Sequence, residues 1–182
     1  MPIIQDIQNF LEKLLYILPL EVFVFIGSFL EEIIAPIPSP FIMGSAAVAA
    51  VENNYTWWGF LILAVVGSVG KTIASYILYV IGDKGEDVVL GRFGKYFKIS
   101  HEQLEKIGSL FSKSWWDDIV LFFLRALPLV PSFFFSIACG VLKINMRSFL
   151  ITTFLGTIFR NILLLLIGIY GWETVQNWLL QI

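Results

Sequence analysis

Two acids and three prolines crowd the stretch Glu31-Glu32-Ile33-Ile34-Ala35-Pro36-Ile37-Pro38-Ser39-Pro40, inside an apolar run from Val22 to Val51. A carboxylate costs roughly 2.5–3.5 kcal/mol at the centre of a membrane helix. Each proline removes a backbone donor and breaks a helix. Broken backbone at membrane depth persists only where protein or a water-filled cavity covers it. Acids beside such a break can neutralise a cation, carry a proton or line a polar path.

A second stretch repeats the pattern: Arg125-Ala126-Leu127-Pro128-Leu129-Val130-Pro131-Ser132-Phe133-Phe134, within the apolar run from Ile119 to Leu142. Aligning Pro38-Ser39 on Pro131-Ser132 sets Phe41 on Phe134, Ala46-Ala47 on Cys139-Gly140, and Glu32 on Arg125. Each half thus offers a charge, a proline-broken turn and a small-residue return helix, with opposite charges in the two halves. That is the sequence pointer to an inverted repeat of discontinuous helices meeting near the midplane. An arginine there presents a planar fork of donors matched to a phosphate, and helix ends at the breaks add free backbone groups.

Three more polar residues fall at membrane depth. Lys71 lies mid-span, where it could pair with Glu31 or Glu32, contact a substrate, or snorkel to the interface. Arg160-Asn161 interrupts the last apolar run, and intramembrane arginine and asparagine face a bundle interior. The pathway candidates are therefore Glu31, Glu32, Lys71, Arg125, Arg160 and Asn161, with Pro36, Pro38, Pro40, Pro128 and Pro131 making the breaks.

The elements that must position them follow from composition. Of 182 residues, 58% are hydrophobic and only 14% charged, and the mean hydropathy is +0.82. Soluble domains carry about 25% charged residues, so the expected class is an all-α integral membrane protein. A net charge of −2 without a basic arm argues against a nucleic-acid partner. The N-terminus lacks a basic n-region and a small-residue cleavage site, so no signal peptide is expected.

One membrane domain over 1–182 is predicted. Residues 1–18 place Ile3, Ile7, Phe10, Leu11 and Leu14 on one face, an amphipathic interfacial helix. Residues 20–51 form the first re-entrant hairpin, because half-helices of about eleven residues reach only ~16 Å. A spanning helix rich in Gly, Ala and Ser follows over 57–82, with Trp57-Trp58 at the interface. The polar, amphipathic segment 83–118 holds six of the twelve Lys and Arg and seven acids. The second re-entrant hairpin covers 119–142 and the second spanning helix 148–171, with Trp172 and Trp178 belting its end. Two hairpins and two spans thus make the inverted repeat, flanked by interfacial helices.

Several motifs dissolve on inspection. Gly67-Ser68-Val69-Gly70-Lys71-Thr72 resembles half of a phosphate-binding loop, but the required earlier glycine is Val65 and no strand precedes it. His101-Glu102 begins a zinc-protease pattern whose second histidine would be Glu105, and His101 is the sole histidine. The single cysteine, Cys139, forms no intramolecular disulfide and reads as a packing residue. No cofactor and no metal site are expected.

The residues also resemble a known family. Glu31 followed by Pro36 and Pro38 in a Pro-Ile-Pro-Ser string resembles the first signature of the DedA family, also called SNARE-associated or VTT-domain proteins. Tyr79-Val80-Ile81-Gly82, with Gly85 beyond, is similar to its central Y-x-I-G-x-x-G, and Arg125-Ala126-Leu127-Pro128 to its R-x-x-P, with Gly140 as the glycine that follows. The likeness covers about Glu21 to Gly171. Many bacterial members carry an acid where this chain has Pro40 and a second arginine where it has Pro131. There, Pro128-x-x-Pro131 looks closer to the lipid-scramblase branch. The resemblance implies two facing re-entrant hairpins and a role moving lipids or lipid-linked phosphates between leaflets.

The expected function is accordingly a transporter or scramblase for phospholipids or lipid-linked phosphates in the cytoplasmic membrane of a prokaryote. Its partners would be lipid phosphate headgroups. Glu31 could neutralise Arg125 in the empty state, yield it to a phosphate, and carry a proton. Two rivals stand beside this reading. A membrane scaffold or envelope-homeostasis factor would use the same charges only to lock the hairpins together. A lipid phosphatase would want a histidine, and His101 lies in the polar segment, so an enzyme is not expected. The inverted halves could pair within one chain or between chains of a homo-oligomer.

Overall fold

A computed structural model of the chain describes residues 15, 17–34, 39–85, 115–127 and 132–179. Among the described residues every regular element is a helix: α1 (Leu20–Ile33), α2 (Ser39–Glu52), α3 (Trp57–Lys84), α4 (Trp115–Ala126), α5 (Ser132–Val141) and α6 (Met146–Leu179). The expected interfacial helix over 1–18, most of the polar segment with His101, and Pro36, Pro38, Pro128 and Pro131 lie outside the described residues.

Two helices are long and apolar enough to cross a membrane, Trp57–Lys84 and the Met146–Gly171 part of α6. The others are short. At 1.5 Å per residue, a 14-residue helix such as α1 or α2 reaches about 21 Å, against a hydrocarbon thickness of about 30 Å. α1 follows Pro19, whose fixed φ suits a helix start, and stops where Ile34 turns extended. Pro40 sits in the first turn of α2, where a missing N–H costs nothing.

Helix ends differ from the sequence expectation in places. The first helix of the second broken stretch begins at Trp115, four residues before 119, because Asp117 and Asp118 in its first turn favour a helix N-terminus. The last helix begins at Met146, where Asn145 Oδ1 accepts the backbone N–H groups of Arg147 at 3.0 Å and Ser148 at 3.3 Å. It runs on through Gly171 to Leu179, and α3 runs past Gly82 to Lys84.

The two return helices α2 and α5 close alike. Asn54 (φ 53°) and Lys143 (φ 51°) both take the left-handed conformation. The N–H of Tyr55 bonds back to Ala50 O at 2.9 Å, and that of Ile144 to Cys139 O at 3.1 Å. Each terminus thereby satisfies carbonyls that would otherwise be orphaned.

In the packing, α3 lies against α1, α5 and α6, while α6 also takes α2 and α4. Small residues set the distances: a Cβ on Gly70 would sit 2.5 Å from the Phe25 carbonyl, and one on Gly140 would strike the Tyr79 carbonyl. Backbones approach this closely in lipid because tight packing replaces the hydrophobic drive. Two apolar cores result. One gathers Phe23, Val24, Ile42, Met43, Leu63, Leu164 and neighbours, the other Tyr79, Leu121, Cys139, Ile144 and Phe149. The buried residues between these cores are small or polar, from Gly67 to Ser75 on α3 and from Thr152 to Asn161 on α6. The opposite face of α3 exposes Ile62, Val65, Val69, Ile73 and Tyr76 at helical spacing, an apolar stripe suited to lipid.

Candidate functional site

Among the described residues the layer between the two cores holds five buried charges: Glu31 and Glu32 on α1, Lys71 on α3, Arg125 on α4 and Arg160 on α6. Lys71 and Arg160 each stand fifteenth in their helix, so both spans deliver a cation at mid-length. Arg125 occupies the last turn of α4, where a cation meets the negative end of the helix dipole. α1 brings its two acids in at its C-terminal end.

Adjacent positions on a helix point about 100° apart, and the two acids separate accordingly. Glu32 faces the second broken stretch. Its Oε1 accepts from Arg125 Nη1 at 3.0 Å, Ser136 Oγ at 2.7 Å and Ser75 Oγ at 2.8 Å. Arg125 Nη2 donates to Ser136 Oγ at 2.6 Å. The guanidinium carbon lies 4.9 Å from the Phe135 ring centre and 5.2 Å from that of Phe149, a geometry that adds cation–π attraction. One carboxylate oxygen therefore ties α1, α3, α4 and α5 together.

Glu31 faces the spans. Lys71 Nζ donates to its Oε1 at 2.6 Å, and Arg160 Nη2 stands 4.0 Å from the same oxygen. Asn161 Nδ2 donates to Ala64 O and Ser68 Oγ, both at 3.1 Å, fastening α6 to α3 beside the charges. Of the sequence candidates, Glu31, Glu32, Lys71, Arg125 and Arg160 thus meet in one cluster, with Asn161 one residue from Arg160. Pro40 is exposed at the start of α2, whereas the five charges are buried. The pairing differs from expectation in one respect. Arg125 is neutralised by Glu32, not Glu31, because Glu31 is turned toward Lys71.

Sequence reasoning missed Ser75, Ser136, Phe135 and Phe149. Hydroxyls and aromatics are ordinary in apolar helices, so nothing marked them. The spacing of Ser75 one turn beyond Lys71 was the available signal. Among the described residues this layer buries three cations with two carboxylates. Buried charge of this kind is tolerated only when paired or hydrogen-bonded. Such a layer can hydrogen-bond an anion. Among the described residues no group of three or more His, Cys, Asp or Glu gathers as a metal site.

A helical membrane protein with a charged layer at mid-span is the class that fold and site define. The VTT domain family model matches residues 37–170, and the chain belongs to that family, the DedA membrane proteins. An alkaline phosphatase-like protein of Lactococcus lactis subsp. lactis (strain IL1403) is 32% identical over 156 residues, 81% of this chain and 70% of the relative. Undecaprenyl phosphate transporter A of Bacillus subtilis (strain 168) is 28% identical over 144 residues, 78% of this chain and 70% of the relative. The protein of the same name from Staphylococcus aureus (strain NCTC 8325 / PS 47) is 27% identical over 146 residues, 80% and 70% of the two chains. No solved structure gives a significant match.

Proposed function

We propose that this protein moves phospholipids or lipid-linked phosphates between the leaflets of a prokaryotic cytoplasmic membrane, as a transporter or scramblase. The observation that carries the reading is the buried layer of charges at mid-span, Lys71, Arg125 and Arg160 gathered around Glu31 and Glu32. A headgroup crossing hydrocarbon needs a polar replacement for its water, and three cations at one depth offer a phosphate that replacement. Two relatives named as undecaprenyl phosphate transporters support the substrate class.

The architecture we favour is an inverted repeat of two re-entrant hairpins, α1–α2 and α4–α5, each followed by a span. Three features support it. Both return helices end in the same left-handed closure. Each span packs on the first helix of its own half and the return helix of the other. Lys71 and Arg160 follow the closures of Asn54 and Lys143 by the same 17 residues. Alternating exposure of a midplane site to the two leaflets is the usual use of such symmetry.

The test is movement of a headgroup-labelled phosphate lipid in proteoliposomes. Native protein should exchange the lipid between leaflets faster than protein-free vesicles do, and Arg160→Gln should slow it at least about tenfold, the loss of roughly one charge-assisted contact. Failure of the native protein with every phosphate lipid tried would leave the scaffold reading, in which the charges only lock the helices together.

A further inference from the structure

The two acids divide the charged layer into a fixed half and an exchangeable half. Arg125 is held by Glu32 and Ser136 and flanked by two aromatic rings, with its Nε and Glu32 Oε2 as the two atoms of the pair that have no hydrogen-bond partner. Releasing it for a substrate would break those contacts and leave buried Glu32 with only the hydroxyls of Ser75 and Ser136 on its Oε1. Lys71 is held differently. An ammonium has three donors, and among the described residues its one hydrogen-bond acceptor is Glu31 Oε1. Its side chain is 2% exposed, so water at the surface does not serve the other two.

A second donor lies close by. Ser28 stands one turn before Glu31 on α1, 1% exposed, and its Oγ has no hydrogen-bond partner. It faces α3 at Gly67, where an added Cβ would lie 3.0 Å from the hydroxyl. Gly67 is one turn before Lys71 on the same face of α3. Unused N–H groups and an unused hydroxyl are thus buried on one seam, the α1–α3 contact, and a buried polar group without a partner is costly.

We propose that Lys71, with Ser28 as second donor, is the contact for the phosphate oxyanion, and that Arg125–Glu32 is a clamp which never leaves its partners. The proposal rests on the phosphate-lipid reading above. Arg160, 4.0 Å from Glu31 Oε1, retains that carboxylate when Lys71 turns to the phosphate. The acid therefore keeps a cation beside it while Lys71 holds the phosphate.

The experiment titrates the purified full chain in detergent with phosphatidic acid, with diacylglycerol carrying the same acyl chains, and with inorganic phosphate. It reads the ligand-dependent rise in melting temperature as an apparent affinity. Phosphatidic acid should stabilise the native protein and diacylglycerol should not. Lys71→Gln should weaken phosphatidic acid about tenfold, as expected for one charge-assisted hydrogen bond. Lys71→Arg should stay within about threefold of native, since it keeps the charge and donors. Ser136→Ala, which removes a hydroxyl shared by Arg125 and Glu32, should melt earlier without ligand yet bind with near-native affinity.

Native affinity in Lys71→Gln would overturn the assignment while leaving the phosphate reading intact. No preference of native protein for phosphatidic acid or phosphate over diacylglycerol would overturn both. An equal response to inorganic phosphate would support Lys71 as the contact and make the free ion its ligand. If Lys71→Gln fails to fold, Ser28→Ala decides: roughly threefold weaker binding, under 1 kcal/mol, supports the proposal, and unchanged binding overturns it.

Discussion

Arg125 Nη1 and Glu32 Oε1, 3.0 Å apart and both buried, join two helices that lie 93 residues apart in sequence. The pair links the last turn of α4 to the last turn of α1, and Ser136 and Ser75 bring α5 and α3 to the same oxygen. Removing one member of such a pair leaves an uncompensated charge, which costs about 3–5 kcal/mol. Arg125→Ala should therefore lower the melting temperature sharply in detergent. The double variant Arg125→Met/Glu32→Gln should melt well above the sum of the two single losses. Additive losses in that cycle would refute the direct pairing.

Packing gives a sharper prediction than chemistry. A methyl at Gly140 would collide with the Tyr79 carbonyl, and neither helix backbone can yield without parting α3 from α5. Gly140→Ala should cost about 1–3 kcal/mol or more by overpacking. Gly44, on α2, has open space around its missing Cβ, so Gly44→Ala should stabilise by up to about 1 kcal/mol through helix propensity. Denaturant titration of both variants checks the contrast. Equal effects would mean the α3–α5 contact is looser than described.

Asn161 should behave mildly. Its side chain bridges α6 to Ala64 O and Ser68 Oγ, but interhelical hydrogen bonds in membranes average only about 0.6 kcal/mol. Asn161→Leu should stay folded with a small drop in melting temperature. Lipid movement by that variant then reports on the polar path itself, free of gross destabilisation.

Tyr79 donates its hydroxyl to Ile144 O at 2.5 Å and packs its ring 5.0 Å from that of Phe149. Tyr79→Phe keeps the ring contact and orphans the carbonyl, at a cost of about 1–3 kcal/mol. The loss should appear in stability with lipid affinity unchanged. An affinity loss without a stability loss would place Tyr79 in the path instead.

Membrane placement can be read by cysteine labelling, since Cys139 is the only cysteine and is buried. A water-soluble maleimide should modify Trp58→Cys at the end of α3 but not Val69→Cys on its apolar stripe. Rapid modification of Val69→Cys in intact vesicles would turn that stripe toward water.

Much of this was legible in the chain alone because lipid is an unforgiving solvent. Apolar length identified the spans, and proline inside apolar runs identified the breaks. Arg160 and Asn161 could be assigned to the interior, since polar groups at that depth face the bundle, whereas Lys71 was left between a buried partner and snorkelling to the interface. The resemblance to the DedA family rested in part on Glu31, Arg125 and the prolines of the breaks. Ser75, Ser136 and the two phenylalanines around Arg125 stayed invisible, because a hydroxyl or an aromatic ring costs little in an apolar helix whether or not it has work to do.

What the sequence by itself determined is the inventory: a helical membrane protein, two broken stretches, two spans and a set of charges that must be covered. Tertiary structure alone decided the partnerships. Glu31 and Glu32 are neighbours of the same chemistry, and only a turn of about 100° per residue, with α3 and α6 on one side and α4 and α5 on the other, sends the first to Lys71 and the second to Arg125. Spacing along a chain carries no record of which surface a helix presents to which neighbour. That is set by how closely its glycines let the other helices approach.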